Sequence, residues 1–208
     1  MSLQKYEARP AVVFDVGGVL LDWNPRYLYT RFFNGDQEAM ERFLEEVNFA
    51  EWNMLQDAGR PFSQGVATLA AQFPQWAELI EAYHTHWEET ISGSIEGSVA
   101  ILAELHRAGY PLYVLSNFSI EKFKLIQTKY GFFMWFDDIL LSAQVKLVKP
   151  DPKIFQVLLL QIDRSPTDCL LIDDSKPNVE TASQLGFDAI HFQSPGQLRV
   201  ELHQRGMI

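Results

Sequence analysis

A single cysteine, Cys169, stands in this chain of 208 residues, so no internal disulfide can form. It sits in the apolar run Cys169-Leu170-Leu171-Ile172, where a thiol packs as a small inert hydrophobe, and redox chemistry drops out. No apolar run approaches the roughly 20 residues that a bilayer span requires. The start, Met1 to Arg9, lacks the basic segment and apolar core of a secretory signal, which gives the expectation of a cytoplasmic protein with no membrane partner. Basic residues are scarce. Against 27 Asp and Glu there are 17 Lys and Arg, a net charge of -10 and a pI near 4.9. An acidic surface repels phosphate backbones, so nucleic acid is not an expected partner either. Repeats and low-complexity tracts are missing, and none of His84, His86, His106, His191 and His203 has metal-ligand company in the sequence.

What the chain does have is hydrophobic mass, 47% of residues, enough for one globular domain with a substantial insert. Ala11 to Phe14, Pro111 to Leu115, Ile139 to Leu141 and Leu170 to Ile172 are short continuous apolar runs, the form that strands buried on both faces take. Between them lie helix-period stretches over Ser98 to Ala108, Ile120 to Lys129, Pro152 to Ile162 and Val179 to Leu185. Gly109, Gly131 and Gly186 follow three of these as expected stops. A short strand over Ala189 to Phe192 and a helix from about Pro195 complete the pattern. The alternation predicts an α/β fold, a Rossmann-like parallel sheet with helices on both faces.

One connection is out of scale, because strand one ends at Asp15 and the next clear strand begins near Pro111, whereas a crossover needs only a dozen or more residues. The interval is helix-prone over Tyr27 to Phe33, Glu38 to Val47, Phe62 to Phe73 and Ala77 to Ile91. It reads as an α-helical cap, residues 23–96, inserted into a core made of residues 1–22 and 97–208. Trp23, Trp52, Trp76 and Trp87 are expected as core of that bundle.

In an open parallel sheet the ligand crevice lies beyond the carboxyl ends of the strands. Those ends carry Asp15-Val16-Gly17-Gly18, Ser116-Asn117 and Asp173-Asp174-Ser175, while Lys149-Pro150-Asp151-Pro152 opens a helix after the strand at Ile139. Each alone can be a turn or a helix cap. Together they are not explained so, since turns and caps give no reason for acids, a hydroxyl, an amide and a lysine to gather at one sheet edge. Such a set suits phosphoryl transfer. A carboxylate such as Asp15 can attack phosphorus, while Ser116, Asn117 and Lys149 supply donors and positive charge. Asp15, Asp173 and Asp174 beside a phosphate dianion would repel by about 4 kcal/mol per unit-charge pair at ~4 Å and an effective dielectric near 20. One lysine does not offset that, so a hard divalent cation is required, Mg²⁺ by default.

These segments, Phe14-Asp15-Val16-Gly17-Gly18-Val19-Leu20, Leu115-Ser116-Asn117, Lys149-Pro150-Asp151-Pro152 and Ile172-Asp173-Asp174 with Asn178, resemble the four ordered motifs of the haloacid dehalogenase-like hydrolase superfamily. The resemblance implies that Asp15 is nucleophile and metal ligand, and that Ser116 and Asn117, with Gly17 and Gly18, lie against the phosphate. It implies further that Lys149 steadies both, and that Asp173 and Asp174, with the Gly17 carbonyl, complete the metal site. Most phosphatases of that superfamily carry a second aspartate, an acid and base, where this chain has Gly17. Losing such a group costs about 10² to 10⁴ in rate, so either another group acts or easy leaving groups are favoured. Asp22 is the nearest acid and is expected in the catalytic set; Asp57, in Gln56-Asp57-Ala58-Gly59-Arg60, is a second candidate. The Gly17 form is similar to a branch that includes a bacterial glucose 1-phosphate phosphatase.

The expectation is therefore a Mg²⁺-dependent phosphatase acting on a small phosphorylated metabolite, a sugar phosphate, as a monomer or homodimer. Two other readings stand beside it. One is a metal-independent 2-haloacid dehalogenase, against which the pair Asp173-Asp174 speaks; the other is a degenerate binding module.

Overall fold

The computed structural model describes residues 9–208; the first residues of the segment read for targeting signals and of the expected core piece 1–22 lie outside it. In chain order the elements are β1 (Ala11–Phe14), β2 (Leu21–Trp23), α1 (Pro25–Tyr29), α2 (Gln37–Glu46), α3 (Phe49–Asp57), α4 (Phe62–Gln72), α5 (Ala77–Thr85) and β3 (Ile91–Ser94). Then follow α6 (Glu96–Arg107), β4 (Leu112–Ser116), α7 (Ile120–Gln127), β5 (Asp138–Leu141), α8 (Ser142–Val145), α9 (Pro152–Ile162), β6 (Cys169–Asp173), α10 (Lys176–Leu185), β7 (Asp188–His191) and α11 (Pro195–Gln204). No helix among the described residues is long and apolar enough to cross a membrane.

Five strands pair in parallel in the order β5-β4-β1-β6-β7. β1 is central, with Phe14 opposite Val114 on one side and Ile172 on the other. Its continuous apolar run has a simple cause, which is that both faces are covered. Val12 and Phe14 pack in the cluster that holds Ile101 and Leu105 of α6 and Leu198 and Leu202 of α11. Ala11 and Val13 face the opposite way, onto Ile154, Phe155 and Leu158 of α9 and Ala182 of α10. Each such side chain contributes roughly 1.5–3 kcal/mol when fully buried, so the sheet centre is firmly held. The chain moves from β1 to β4 on one side and later to β6 on the other, and this reversal opens a crevice at the carboxyl ends of the three strands.

Between β1 and β4 the chain forms an antiparallel ribbon, β2 with β3, and the helices α1 to α5. The ribbon is not legible as strands in the sequence, being three and four residues long with Gly93 inside it. The helices enclose an aromatic core in which Tyr83 meets Phe49 at 4.8 Å and Trp52 at 5.6 Å between ring centres. Trp52 and Trp87 are buried and Trp76 packs on Phe43, whereas Trp23 is only partly covered.

Several expected boundaries shift. Helix α1 starts at Pro25, capped by the Asn24 side chain, and the expected stretch to Phe33 is cut short before Asn34 and Gly35, both at positive φ. Helix α5 stops at Thr85, and Ile91 begins β3. Helix α3 was not expected at all; its buried residues are Phe49, Trp52 and Gln56, one of them polar. Gly109 and Gly186 do end helices at φ 75° and 98°. Gly131 does not: α7 is capped by Thr128, and Gly131 opens a 3-10 turn.

The helical insert is tied to the sheet through Ser142, fully buried at the start of α8. Its hydroxyl donates to the carbonyl of Asp57 and accepts from the N–H of Phe118. Ser142→Ala leaves both groups without that partner, and thermal unfolding should show a loss of about 1–3 kcal/mol. A loss under ~0.5 kcal/mol, the scale of an indifferent surface change, would contradict this tie.

Candidate active site

The site begins with Asp15, one residue past β1. Its N–H donates to the carbonyl of Ile172 at 2.9 Å, so the ladder to β6 fixes the residue where the sheet ends. One carboxylate oxygen accepts from Val16 N at 2.7 Å; the other is 3.1 Å from Nζ of Lys149. Lys149 is 2% exposed, and its ammonium also donates to Asp173 at 2.6 Å and to the carbonyl of Leu115 at 2.8 Å. All three of its N–H groups are thereby used. Asn117 holds the lysine from behind, since its side chain accepts from Lys149 N at 2.8 Å and donates to Lys149 O at 2.9 Å. With both ends of its amide engaged, Asn117 has its main-chain N–H left for a ligand.

Asp173 is fully buried and accepts from Ser175 N at 2.8 Å and from Asn178 at 3.0 and 3.1 Å in addition to Lys149. Its neighbour Asp174 lines the cavity beside Asp15. Gly18 explains itself here, because it has φ +72° and a Cβ on it would overlap the Asp174 carboxylate. Gly17 is different. A Cβ there would meet nothing within 4 Å.

Oxygens of Asp15, Asp173 and Asp174 all lie within 4.8 Å of one another, and the one ammonium at the cluster, Lys149, pairs with Asp15 and Asp173. The imbalance acts on the protons. Burial, with Asp173 and Asp174 adding to it and Lys149 and the Ser116 hydroxyl opposing, raises the Asp15 pKa from 3.8 to about 6. Asp174 is raised by burial and by Asp173. Burial alone would lower Lys149, but Asp15 and Asp173 carry it above its ordinary value. A cluster of oxygen donors short of positive charge is what a hard divalent cation fits.

Beyond these groups lies a cavity of about 360 Å³, walled by Asp15, Gly17, Gly18, Ser116, Asn117 and Asp174 from the core and by Asn53, Asp57, Phe62 and Tyr83 from the insert. A second cleft of about 520 Å³ shares Trp23, Asn53, Asp57 and Asn117 with it and runs out toward Arg26 and Met54. The structure thus brings Asp15, Gly17, Gly18, Ser116, Asn117, Lys149, Asp173 and Asp174 together. It does not bring Asp22, which pairs with Gly93 in the ribbon and whose carboxylate accepts from the Tyr27 hydroxyl at 2.8 Å. Asp57 takes that place in the cavity wall. Burial pushes its carboxyl up to about 8, against a Ser119 N–H that lowers it and with the Asp15 charge raising it further. Lys122, which lines the same cavity, and His84, which it meets, were not singled out by the sequence, where a lysine on a helix and a lone histidine look solvated.

The raised Asp57 value has a consequence for stability. The folded protein keeps a proton at Asp57 that the unfolded chain releases near 3.8, so stability falls as pH climbs from there to about 8 and then levels. Asp57→Asn removes this loss. Its melting temperature relative to wild type should rise between about pH 4 and about pH 8; a difference flat across that range would refute the protonated Asp57.

The profile of the haloacid dehalogenase-like hydrolases matches residues 10–186. A sesquiterpene phosphatase, astK, of Aspergillus oryzae is 27% identical over 93% of this chain and 95% of its own length. D-ribitol-5-phosphate phosphatase of Bacteroides thetaiotaomicron is 22% identical over 92% and 95%. Among solved structures, a haloacid dehalogenase family enzyme of Bacteroides thetaiotaomicron in complex with magnesium and inorganic phosphate superposes with a TM-score of 0.68 over 90% of this chain and 96% of that one, at 22% identity. A parallel sheet with β1 at its centre, three motifs at strand ends and a fourth at the start of α9 in the expected order, and a profile match over most of the sequence lead to one assignment: the chain belongs to the haloacid dehalogenase-like hydrolases, and it is a hydrolase.

Proposed function

We propose that this protein is a Mg²⁺-dependent phosphatase of small phosphorylated metabolites that works through an aspartyl-phosphate at Asp15. The observation that carries the reading is the charge balance at the sheet edge, three carboxylates to one ammonium, beside a cavity large enough for a small organic phosphate. Asp15, Asp174 and the Gly17 carbonyl are the groups to hold the cation; Asp173, already engaged by Lys149, Ser175 and Asn178, anchors the lysine next to it. When bound, the cation supplies the two positive charges that let a carboxylate approach a phosphate dianion.

The protein's own groups do the rest. An Asp15 oxygen forms a bond to phosphorus as the bond from phosphorus to the ester oxygen breaks. Lys149, locked by Asn117, keeps the nucleophile aimed, and the Ser116 hydroxyl with the main-chain N–H groups after β4 supplies donors to the phosphoryl oxygens. Asp57, protonated near neutral pH, gives its proton to the departing oxygen. As the resulting carboxylate it then takes a proton from the water that attacks the phosphoryl group, which frees phosphate and Asp15. The acid that Gly17 lacks is in this way supplied by α3.

Residues 23–96 serve as a cap in this scheme, closing the cavity with Asn53, Asp57, Phe62 and Tyr83. Aromatic walls suit the apolar face of a sugar ring, and the similarity to D-ribitol-5-phosphate phosphatase supports a polyol or sugar phosphate.

Two tests follow. Hydrolysis of p-nitrophenyl phosphate should stop with EDTA and should drop by more than about 10³ in Asp15→Asn, beyond the loss of an acid/base alone at its lower bound. Full activity in EDTA, or a tenth of the rate left in Asp15→Asn, would overturn the covalent, metal-assisted reading. For Asp57, kcat/KM across aryl phosphates of graded leaving-group acidity should depend only weakly on that acidity in wild type and steeply in Asp57→Asn. The alkaline fall in rate near the raised Asp57 value of about 8 should vanish in the same variant. A slope unchanged by Asp57→Asn would remove Asp57 from proton transfer.

A further inference from the structure

Lys122, in the first turns of α7, is 4% exposed and lines the cavity. Its ammonium donates to the carbonyl of His84 at 2.7 Å and lies 3.1 Å from Nδ1 of the same histidine, while the ring of Phe62 sits 4.6 Å away. Among the described residues no carboxylate pairs with it. The two acids whose charges reach it are engaged elsewhere: Glu121 accepts the N–H of Phe62 at 3.2 Å, and Glu88 pairs with Lys129 at 3.8 Å. Its contacts are with His84 and Phe62 of the insert, whereas Asp15 and Asp173 are held by Lys149, so its ammonium stands at the insert side of the cavity.

A buried charge is costly unless an opposite charge meets it. Lys149 shows the ordinary solution in this same molecule, with two carboxylates on one ammonium. At Lys122 the protein supplies two neutral acceptors and an aromatic face, and the third N–H is left over. His84 is kept neutral by burial and by the Lys122 charge, and a neutral ring with Nδ1 as acceptor is what a lysine donor needs.

We propose that Lys122 is the anchor for a second anionic group of the substrate, a carboxylate or a phosphate carried by the leaving portion. This rests on the phosphatase reading and narrows it: the substrate class becomes phosphomonoesters with an acid group at the far end, the apolar body lying along Phe62, Tyr83, Trp87 and Phe118. His84 is a positioning residue for the ammonium.

The test uses paired substrates. One arm compares phosphorylated ω-hydroxy acids of graded chain length with the phosphorylated alcohols of the same length. A second arm compares bisphosphorylated with monophosphorylated diols, which separates carboxylate from phosphate as the anion. In wild type the acidic member should have the higher kcat/KM by tenfold or more at one length in one arm, mostly through KM, as a charged hydrogen bond of about 1.5–3 kcal/mol gives. Lys122→Met, similar in volume, should bring that ratio to about one, and circular dichroism checks its fold. A ratio retained in Lys122→Met overturns the proposal, and so does a wild type without preference at any length in either arm, whatever the variant does. Wild-type hydrolysis of p-nitrophenyl phosphate, measured alongside, tells failure of this inference alone from failure of the phosphatase reading beneath it.

Discussion

Everything at the sheet edge depends on one buried ammonium. Lys149 reaches from the loop before α9 to carboxylates that follow β1 and close β6, and to the Leu115 carbonyl of β4. Removing it would leave Asp15 and Asp173 as unpaired buried acids, the situation in which breaking a buried ion pair costs about 3–5 kcal/mol. The pairing therefore holds three strands in register at their carboxyl ends while it fixes the Asp15 carboxylate. It is also incomplete, because Asp174 adds a third carboxylate and no second ammonium or guanidinium among the described residues pairs with the cluster. That shortage links the fold to the chemistry.

The opposite wall of the cavity comes from the insert, and its placement is equally specific. Ser142 connects the end of α3 to the residue after the Ser116-Asn117 motif. The start of α7 adds two contacts, from Glu121 to the N–H of Phe62 and from Lys122 to His84. A shift of α3 or α5 would therefore move Asp57 and Lys122's partners at once. In the proposed scheme the labour is divided: the core supplies nucleophile, phosphate donors, metal ligands and the Lys122 ammonium, and the insert supplies the proton donor and the apolar walls.

The core was legible in the sequence because its inner strands β4, β1 and β6 are buried almost throughout and so are nearly continuous apolar runs, and because the candidate site residues stand at or after the strand ends. Asp15, Ser116, Asn117, Lys149, Asp173 and Asp174 are found this way. The insert was legible only as helix-prone mass. Helix α3 mixes polar and apolar residues, buries Gln56 through bonds to Trp52 and Arg60, and so shows no clean stripe. Asp22 is near Asp15 in the chain yet is carried off by the ribbon, while Asp57, 42 positions from Asp15, is folded back onto the cavity. Chain proximity misleads wherever a turn such as Val16 to Leu20 redirects the backbone. Lys122 was hidden for another reason: burial of a lysine is decided by what packs over it, here Phe62 and His84 from a distant segment.

The proposed chemistry turns on a divalent cation held between Asp15 and Asp174. Thermal unfolding in the absence of any substrate measures it without relying on turnover. Saturating Mg²⁺ should raise the melting temperature of wild type by about 5 °C or more, since a ligand at a hundred times its dissociation constant adds about 2.7 kcal/mol to a domain of this size. In Asp174→Asn the rise should be lost. A wild type indifferent to Mg²⁺, or an Asp174→Asn variant stabilised as much as wild type, would contradict the account.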